Sequence, residues 1–259
     1  MIYVWKEKDR SPIIALFQSF KTTRAIILPA LKQGRGQILV DHLKNPKTAC
    51  LLIGNISFFT GDSRTSAARE MMKDVEPLAA LMASDNDWNE LMKEVWADRL
   101  GHQLRTKMSA ESLDIDYLRG LTQNIDPEYV LERIDLETVK RLDKRQNMHI
   151  PLFFGSSKEF IEKGIGFCIK HDGKVVSMAS TYTPFIDEFE IEVQTSDDPL
   201  YRRKGLATAV SAALIVYSLE HYFVPHWDAA NEASVKLALK LGYTNPMEWD
   251  VYYVKPLSS

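Results

Sequence analysis

Cysteine is scarce: Cys50 and Cys168 are the only two in 259 residues, and each lies in an apolar run, TACLLIG and GIGFCIK. Buried free thiols are expected rather than a disulfide or a redox pair. No histidine and cysteine cluster has metal-ligand spacing, so no metal is expected. Long apolar runs are missing too. The longest uncharged stretch, Gly205 to Leu219, is short of the roughly 20 apolar residues that span a bilayer, so no membrane partner is expected. The opening MIYVWKEKDR has no cationic segment followed by an apolar core and cleavage site, which argues against a secretory signal and for a cytoplasmic location. No GxxxxGK[ST] sequence occurs, which disfavours a nucleotide-triphosphatase loop. A strong charge bias is also absent. The net charge of -3 argues against a general nucleic-acid binder, while leaving a local anion site open.

What is present is the composition of a globular protein, 45% hydrophobic and 26% charged. The length favours two domains. Residues 1–125 alternate element types: TTRAIILPALKQG begins a helix, GQILVDHL and TACLLIGNISFF read as strands, and TSAAREMMKDVEPLAALM and DNDWNELMKEVWADRLGH read as helices. Asn86 and Asp87 occupy cap positions for the last of these, with Glu90 placed to complete a capping box. FFTGD is a strand running into a turn. This half is α/β, and it carries no catalytic constellation.

LTQNIDPEYV breaks the periodicity and sets the expected boundary between domains 1–125 and 126–259. YVLERID then alternates as a strand and LETVKRLDKR has a helical face. GIGFCIKHDGKVVSMASTY is two strands joined by Asp172 and Gly173, a strong hairpin signal, since a type I′ turn needs positive φ at both central residues. EFEIEVQT alternates cleanly, with Phe189, Ile191, Val193 and Thr195 on one face and Glu190, Glu192 and Gln194 on the other. A helix follows from Gly205, then strand FVPHWDAA, helix NEASVKLALKLGY closing on Gly242, and strand MEWDVYYVK. Mixed order of this kind implies a mixed sheet with helices packed on it. No internal repeat or low-complexity segment is visible.

The junction PLYRRKGLATAV poses an electrostatic problem. Arg202, Arg203 and Lys204 stack positive charge where the helix dipole is already positive, at about 0.3 to 1 kcal/mol each. The helix is apolar or small nearly all round, so its N-terminus is held in place by burial, and its first amides lack partners inside the helix. A strand, a short loop ending in glycine and such a helix form an arrangement that binds phosphate. Charge alone leaves three readings: a pyrophosphate site, a nucleic-acid contact, or a solvated loop offset by Asp197 and Asp198.

RRKGLA matches [RQ]xxGx[GA], with Arg202, Gly205 and Ala207 in the defined positions, and so resembles the pyrophosphate-binding signature of the GNAT superfamily of N-acetyltransferases. EFEIEVQT resembles that superfamily's fourth strand, and NEASVKLALKLGY its second conserved block. The likeness covers about the last 135 residues. The whole chain, through FFTGD, GFCI, LYRRKGLATAV and PHWDAANEAS, resembles the bacterial subgroup that includes zwittermicin A resistance acetyltransferases. The resemblance implies an α/β chain of α+β type. Its C-terminal GNAT fold would have a mixed, mostly antiparallel sheet flanked by helices, preceded by a smaller α/β domain that frames the cleft or mediates assembly, homodimerisation included.

The resemblance also implies acetyl-coenzyme A as cosubstrate and a small-molecule primary amine as acceptor, with direct transfer. The backbone around Arg203, Gly205, Leu206, Ala207 and Thr208 would hold the pyrophosphate, with charge from Arg202 or Lys204. Main-chain groups of Val193 and Thr195 would pair with the pantetheine arm, and Asn231 and Ser234 would meet the far part of the cofactor. Taken alone, Asn231 reads equally as a helix cap. Superfamily members often carry a carboxylate base on the fourth strand, which points to Glu192 first and Glu190 second. The usual acid position of the last helix holds Ala238, leaving Tyr243, Tyr252, water or no acid. Asp228 and Trp227 end the fifth strand, where Asp228 could face an amine and Trp227 reads as structural. The competing readings are a non-catalytic coenzyme A binder, motivated by Ala238, and a nucleic-acid-binding module.

Overall fold

The computed structural model describes residues 1–20 and 22–256. The chain forms β1 (Tyr3–Val4), α1 (Ser11–Leu16), α2 (Arg24–Lys32), β2 (Gln37–Val40), β3 (Thr48–Ile53), β4 (Ile56–Gly61), α3 (Ser66–Lys73), β5 (Ala80–Ala83), α4 (Asn86–Trp96) and β6 (Leu100–Ser109). It continues through α5 (Ile115–Gln123), β7 (Val130–Arg133), α6 (Leu136–Lys140), α7 (Ser157–Lys163), β8 (Gly166–His171), β9 (Lys174–Thr181), β10 (Glu188–Thr195), α8 (Leu206–Glu220), β11 (Val224–Ala229), α9 (Glu232–Leu241) and β12 (Thr244–Val254). It divides into two compact units, Met1–Leu104 with Trp249–Ser259, and Arg105–Glu248.

The first unit has strand order β1-β2-β3-β4-β5-β12. Its pairs are antiparallel apart from β4 with β5, which α3 connects as a parallel crossover. Phe59, Met71, Met72, Leu81, Trp88, Met92 and Val254 build its core. Thr65 caps α3 through Ala68 N, at 3.0 Å. The cap of α4 is Asp85, whose Oδ1 accepts from Trp88 N at 3.2 Å, one residue before the expected pair. Ala80–Ala83, expected to finish a helix, is instead β5. Ala80 N donates to Asn55 O at 2.8 Å, and the strand pairs on both edges, so tertiary pairing overrides helix propensity.

The second unit has order β6-β11-β10-β9-β8-β7, again with one parallel pair, β10 with β11. The expected boundary near residue 125 differs from this division. Met108 and Leu118 share a core cluster with Ala212, Ile215, Trp227 and Tyr243, and Met108 is the register partner of Trp227. The hairpin turn forms as read, with φ of 49° at Asp172 and 74° at Gly173. Helix α8 is buried along most of its length, with Leu206, Val210 and Leu214 packed beneath the sheet residues Ile169, Ala179 and Phe189. Cys50 and Cys168 are both buried free thiols.

The two units share one plan. Strand, two helices, three antiparallel strands, helix, parallel strand and helix occur in β1 to α4 and again in β7 to α9, with a sixth strand beside the parallel one in each case. The sequence shows no repeat, because the likeness lies in pairing and crossover, which many apolar patterns satisfy.

Candidate functional site

Strand β10 opens away from β11. Their register runs only from Glu188–Glu190 against Val224–His226, while β10 stays paired with β9 from Ile191 to Thr195. Tyr182 N donates to Glu190 O at 2.8 Å and Ser196 N to Val176 O at 2.8 Å, so even-numbered residues turn their main chain toward β9. By antiparallel alternation, the N–H and C=O groups of Ile191, Val193 and Thr195 point into the opened side. Ile191 and Val193 pack their side chains against the α8 layer.

At the foot of that opening stands the loop before α8. Arg202, Arg203 and Lys204 are all exposed. The carboxylates expected to offset them are used elsewhere: Asp197 pairs with Arg145, and Asp198 accepts from Leu200 N at 2.9 Å. Among the described residues no ion pair reaches the three cations. Arg203 adopts φ of 58° and Gly205 φ of 78°, and Gly205 has no side chain with which to cap α8. Left-handed backbone at a non-glycine residue is strained, and such strain gathers at functional loops. A Cβ at Gly205 would meet only Asn124 O, at 3.9 Å, so the space beside Gly205 is open. Uncapped amides, a fixed dipole and unpaired cations together suit a pyrophosphate, and the β10 main chain suits an extended amide-bearing arm.

The face of β10 opposite α8 carries charge. Glu190 is buried and ion-paired with Lys107 of β6, and its Oε2 has no partner among the described residues. Glu188 meets His226 Nε2 at 2.9 Å. Arg105 donates through Nε to Asp228 Oδ2 at 2.7 Å and through Nη2 to Asp228 O at 2.8 Å. Glu192 accepts from Gln194 Nε2 at 2.6 Å. Its surroundings hold the Glu192 pKa above the ordinary carboxylate value through burial, opposed by the Gln194 hydrogen bond and by Arg105 and Arg145. Tyr182 shares this face, and burial, helped by Glu192, raises its hydroxyl pKa. Sequence reasoning missed Arg105, Lys107 and Tyr182. Between the buried Gly101 and Met108, Leu104 is the one apolar residue of β6, so no apolar alternation marks the strand.

Asn231 does cap α9, its Oδ1 accepting from Ser234 N at 3.0 Å, and Ser234 Oγ accepts from Trp227 Nε1 at 3.1 Å. Trp227 is buried, as its structural reading implied. Ala238 is fully buried. Tyr243 is fully buried as well, donates its proton to Pro225 O at 2.8 Å, and has its pKa raised by burial. Tyr252 belongs to the first unit. Among the described residues no group of His, Cys, Asp and Glu has a metal-binding arrangement.

A model of the GNAT acetyltransferase family matches residues 14–252. The uncharacterised N-acetyltransferase YdfB of Bacillus subtilis is 27% identical over 175 residues, 67% of this chain, and the chain spans 65% of that relative's length. A GCN5-related N-acetyltransferase-like protein from Streptococcus suis superposes with a TM-score of 0.80 at 28% identity, over 94% of this chain and 97% of its own. A tandem GNAT protein of the clavulanic acid biosynthesis pathway aligns over 100% of both chains at 12% identity with a TM-score of 0.56, a likeness of fold alone.

Proposed function

The chain belongs to the GNAT acetyltransferase family, and on that premise we propose that it transfers the acetyl group of acetyl-coenzyme A directly to the primary amine of a small molecule. The observation that carries this reading is the loop before α8, where three exposed cations, without carboxylate partners among the described residues, stand beside a left-handed, uncapped glycine at a buried helix. The amides of Arg203, Gly205, Leu206, Ala207 and Thr208 would hold the pyrophosphate, with Arg202 and Lys204 adding charge. Main-chain groups of Val193 and Thr195 would extend the sheet along the pantetheine arm. Asn231 and Ser234 would meet the distal part of the cofactor from α9, alongside their capping roles.

The cosubstrate supplies an activated acetyl thioester. The chain must supply a neutral amine, and for a lysine-like acceptor deprotonation at pH 7 costs about 4.6 kcal/mol. Glu192 is the base that this geometry favours. It is partly accessible, lies on the face free of α8, and its raised pKa brings its proton affinity nearer neutrality. Glu190 is tied to Lys107 and buried, so it takes second place. The amine attacks the carbonyl carbon, a C–N bond forms, the C–S bond breaks, and the proton passes from nitrogen to Glu192. Protonating the thiolate is worth only about 2 kcal/mol at pH 7, so solvent suffices in the absence of a placed acid.

The same reading places the enzyme in the cytoplasm, in the subgroup of zwittermicin A resistance acetyltransferases. The transfer chemistry lies within 126–259, and the preceding residues frame the acceptor or mediate dimerisation. Calorimetry with acetyl-coenzyme A is the first test, with saturable binding expected. Replacing Glu192 by Gln then separates an enzyme from a coenzyme A binder, since turnover should fall by about 100-fold or more while binding persists.

A further inference from the structure

Resting on the acetyl-transfer reading, we propose that the acceptor is an amine that also carries a carboxylate, with an α-amino acid as its smallest form, and that Arg105 receives that carboxylate opposite Glu192. The placement follows from register. Glu190 and His226 are partners across β10 and β11, so Glu192 and Asp228, each two residues further along, flank the opening at one level. Arg105 is fastened to Asp228 by two hydrogen bonds, and among the described residues its Nη1 has no acceptor. Its side chain is 25% exposed. A guanidinium held on one edge and open on the other suits a planar carboxylate.

The remaining charges fit a zwitterion better than a polycation. Glu188, Glu190, Asp197 and Asp228 each face a basic side chain, His226, Lys107, Arg145 and Arg105 respectively. Among the described residues Glu192 has no ion-pair partner and accepts from Gln194, and Arg105 and Arg145 both oppose the burial that raises its pKa. A polyamine would set its further ammonium groups against these arginines. Tyr182, close enough to Glu192 for the two to interact and backed by the buried Phe153 with ring centroids 4.7 Å apart, adds an aromatic ring beside Glu192 that suits an apolar side chain.

The test compares amino acids with their decarboxylated counterparts, phenylalanine with phenethylamine and leucine with 3-methylbutylamine, by thiol release from acetyl-coenzyme A. The amino acid of each pair should be favoured at least about tenfold in kcat/KM. Arg105→Met should erase the preference chiefly through KM for the amino acid, and Arg105→Lys should restore part of it. Calorimetry with acetyl-coenzyme A on each variant verifies that the fold is intact. Equal or better use of the decarboxylated amines by the unaltered protein overturns the carboxylate inference while leaving acetyl transfer standing. Cofactor binding with no turnover of any amino acid also overturns it. Absence of acetyl-coenzyme A binding sinks the underlying reading instead.

Discussion

Lys107 on β6 reaches past the intervening strand β11 to pair with Glu190 on β10, and both side chains are nearly buried, at 13% and 8% exposure. The pair ties three strands together directly below the point where β10 and β11 part. Desolvating two charges offsets most of their attraction, so the pair contributes little net stability, but losing one partner is costly.

Lys107→Met should therefore destabilise the protein by about 3–5 kcal/mol, because it strands a carboxylate whose Oε2 already lacks a partner. Adding Glu190→Gln should recover most of that loss. A double-mutant cycle by urea denaturation measures the coupling. A single variant within about 0.5 kcal/mol of the parent would mean that Glu190 is solvated or protonated there.

Glu192 should couple activity to stability in opposite directions. Its pKa is raised in the folded chain, so the ionised form is disfavoured by folding, and stability falls as pH rises through that folded pKa. Glu192→Gln should leave thermal stability at pH 8 equal or higher while lowering kcat. For the parent, kcat/KM should climb with pH through a group titrating above the normal carboxylate range. A variant that loses stability and activity in parallel would point to a structural role.

His149 gives a separate acid signature. It is buried, its Nε2 lies 3.1 Å from Ser180 Oγ, and burial lowers its pKa to about 4. The unfolded chain takes up a proton near pH 6.5 that the folded chain refuses until about 4. The stabilisation is complete above about 6.5 and is lost as pH falls toward 4, up to about 3 kcal/mol in all. Unfolding free energies at pH 7.5 and pH 5, compared between the parent and His149→Gln, should show a steeper acid loss in the parent.

The sequence was legible where a local pattern decides the structure. Asp172 and Gly173 announce their turn, EFEIEVQT shows both faces of β10, and Leu206 to Leu219 shows a helix buried nearly all round. It was illegible where distant pairing decides. Ala80–Ala83 carries helix formers yet bonds to β4 and β12, and Gln103 to Lys107 gives no apolar alternation although the strand carries Arg105 and Lys107 to the candidate site. The repeated plan of the two units is likewise a property of strand order, which no window of residues contains.

Gly205 offers the sharpest separation of backbone from charge. Its φ of 78° disfavours side chains, yet a Cβ there would meet only Asn124 O, at 3.9 Å. Asparagine and aspartate tolerate left-handed backbone better than other residues, so Gly205→Asn and Gly205→Asp should lose similar stability, about 1 kcal/mol each. Gly205→Ala should lose somewhat more. Affinity for acetyl-coenzyme A should then split the isosteric pair. The aspartate sets a negative charge over the free amides and beside Arg203 and Lys204, and should weaken binding at least about tenfold beyond the asparagine, with the gap narrowing as salt screens it. Calorimetry at low and high salt reads both numbers. Equal weakening by the two would assign the effect to shape and remove the electrostatic case for an anion at this loop.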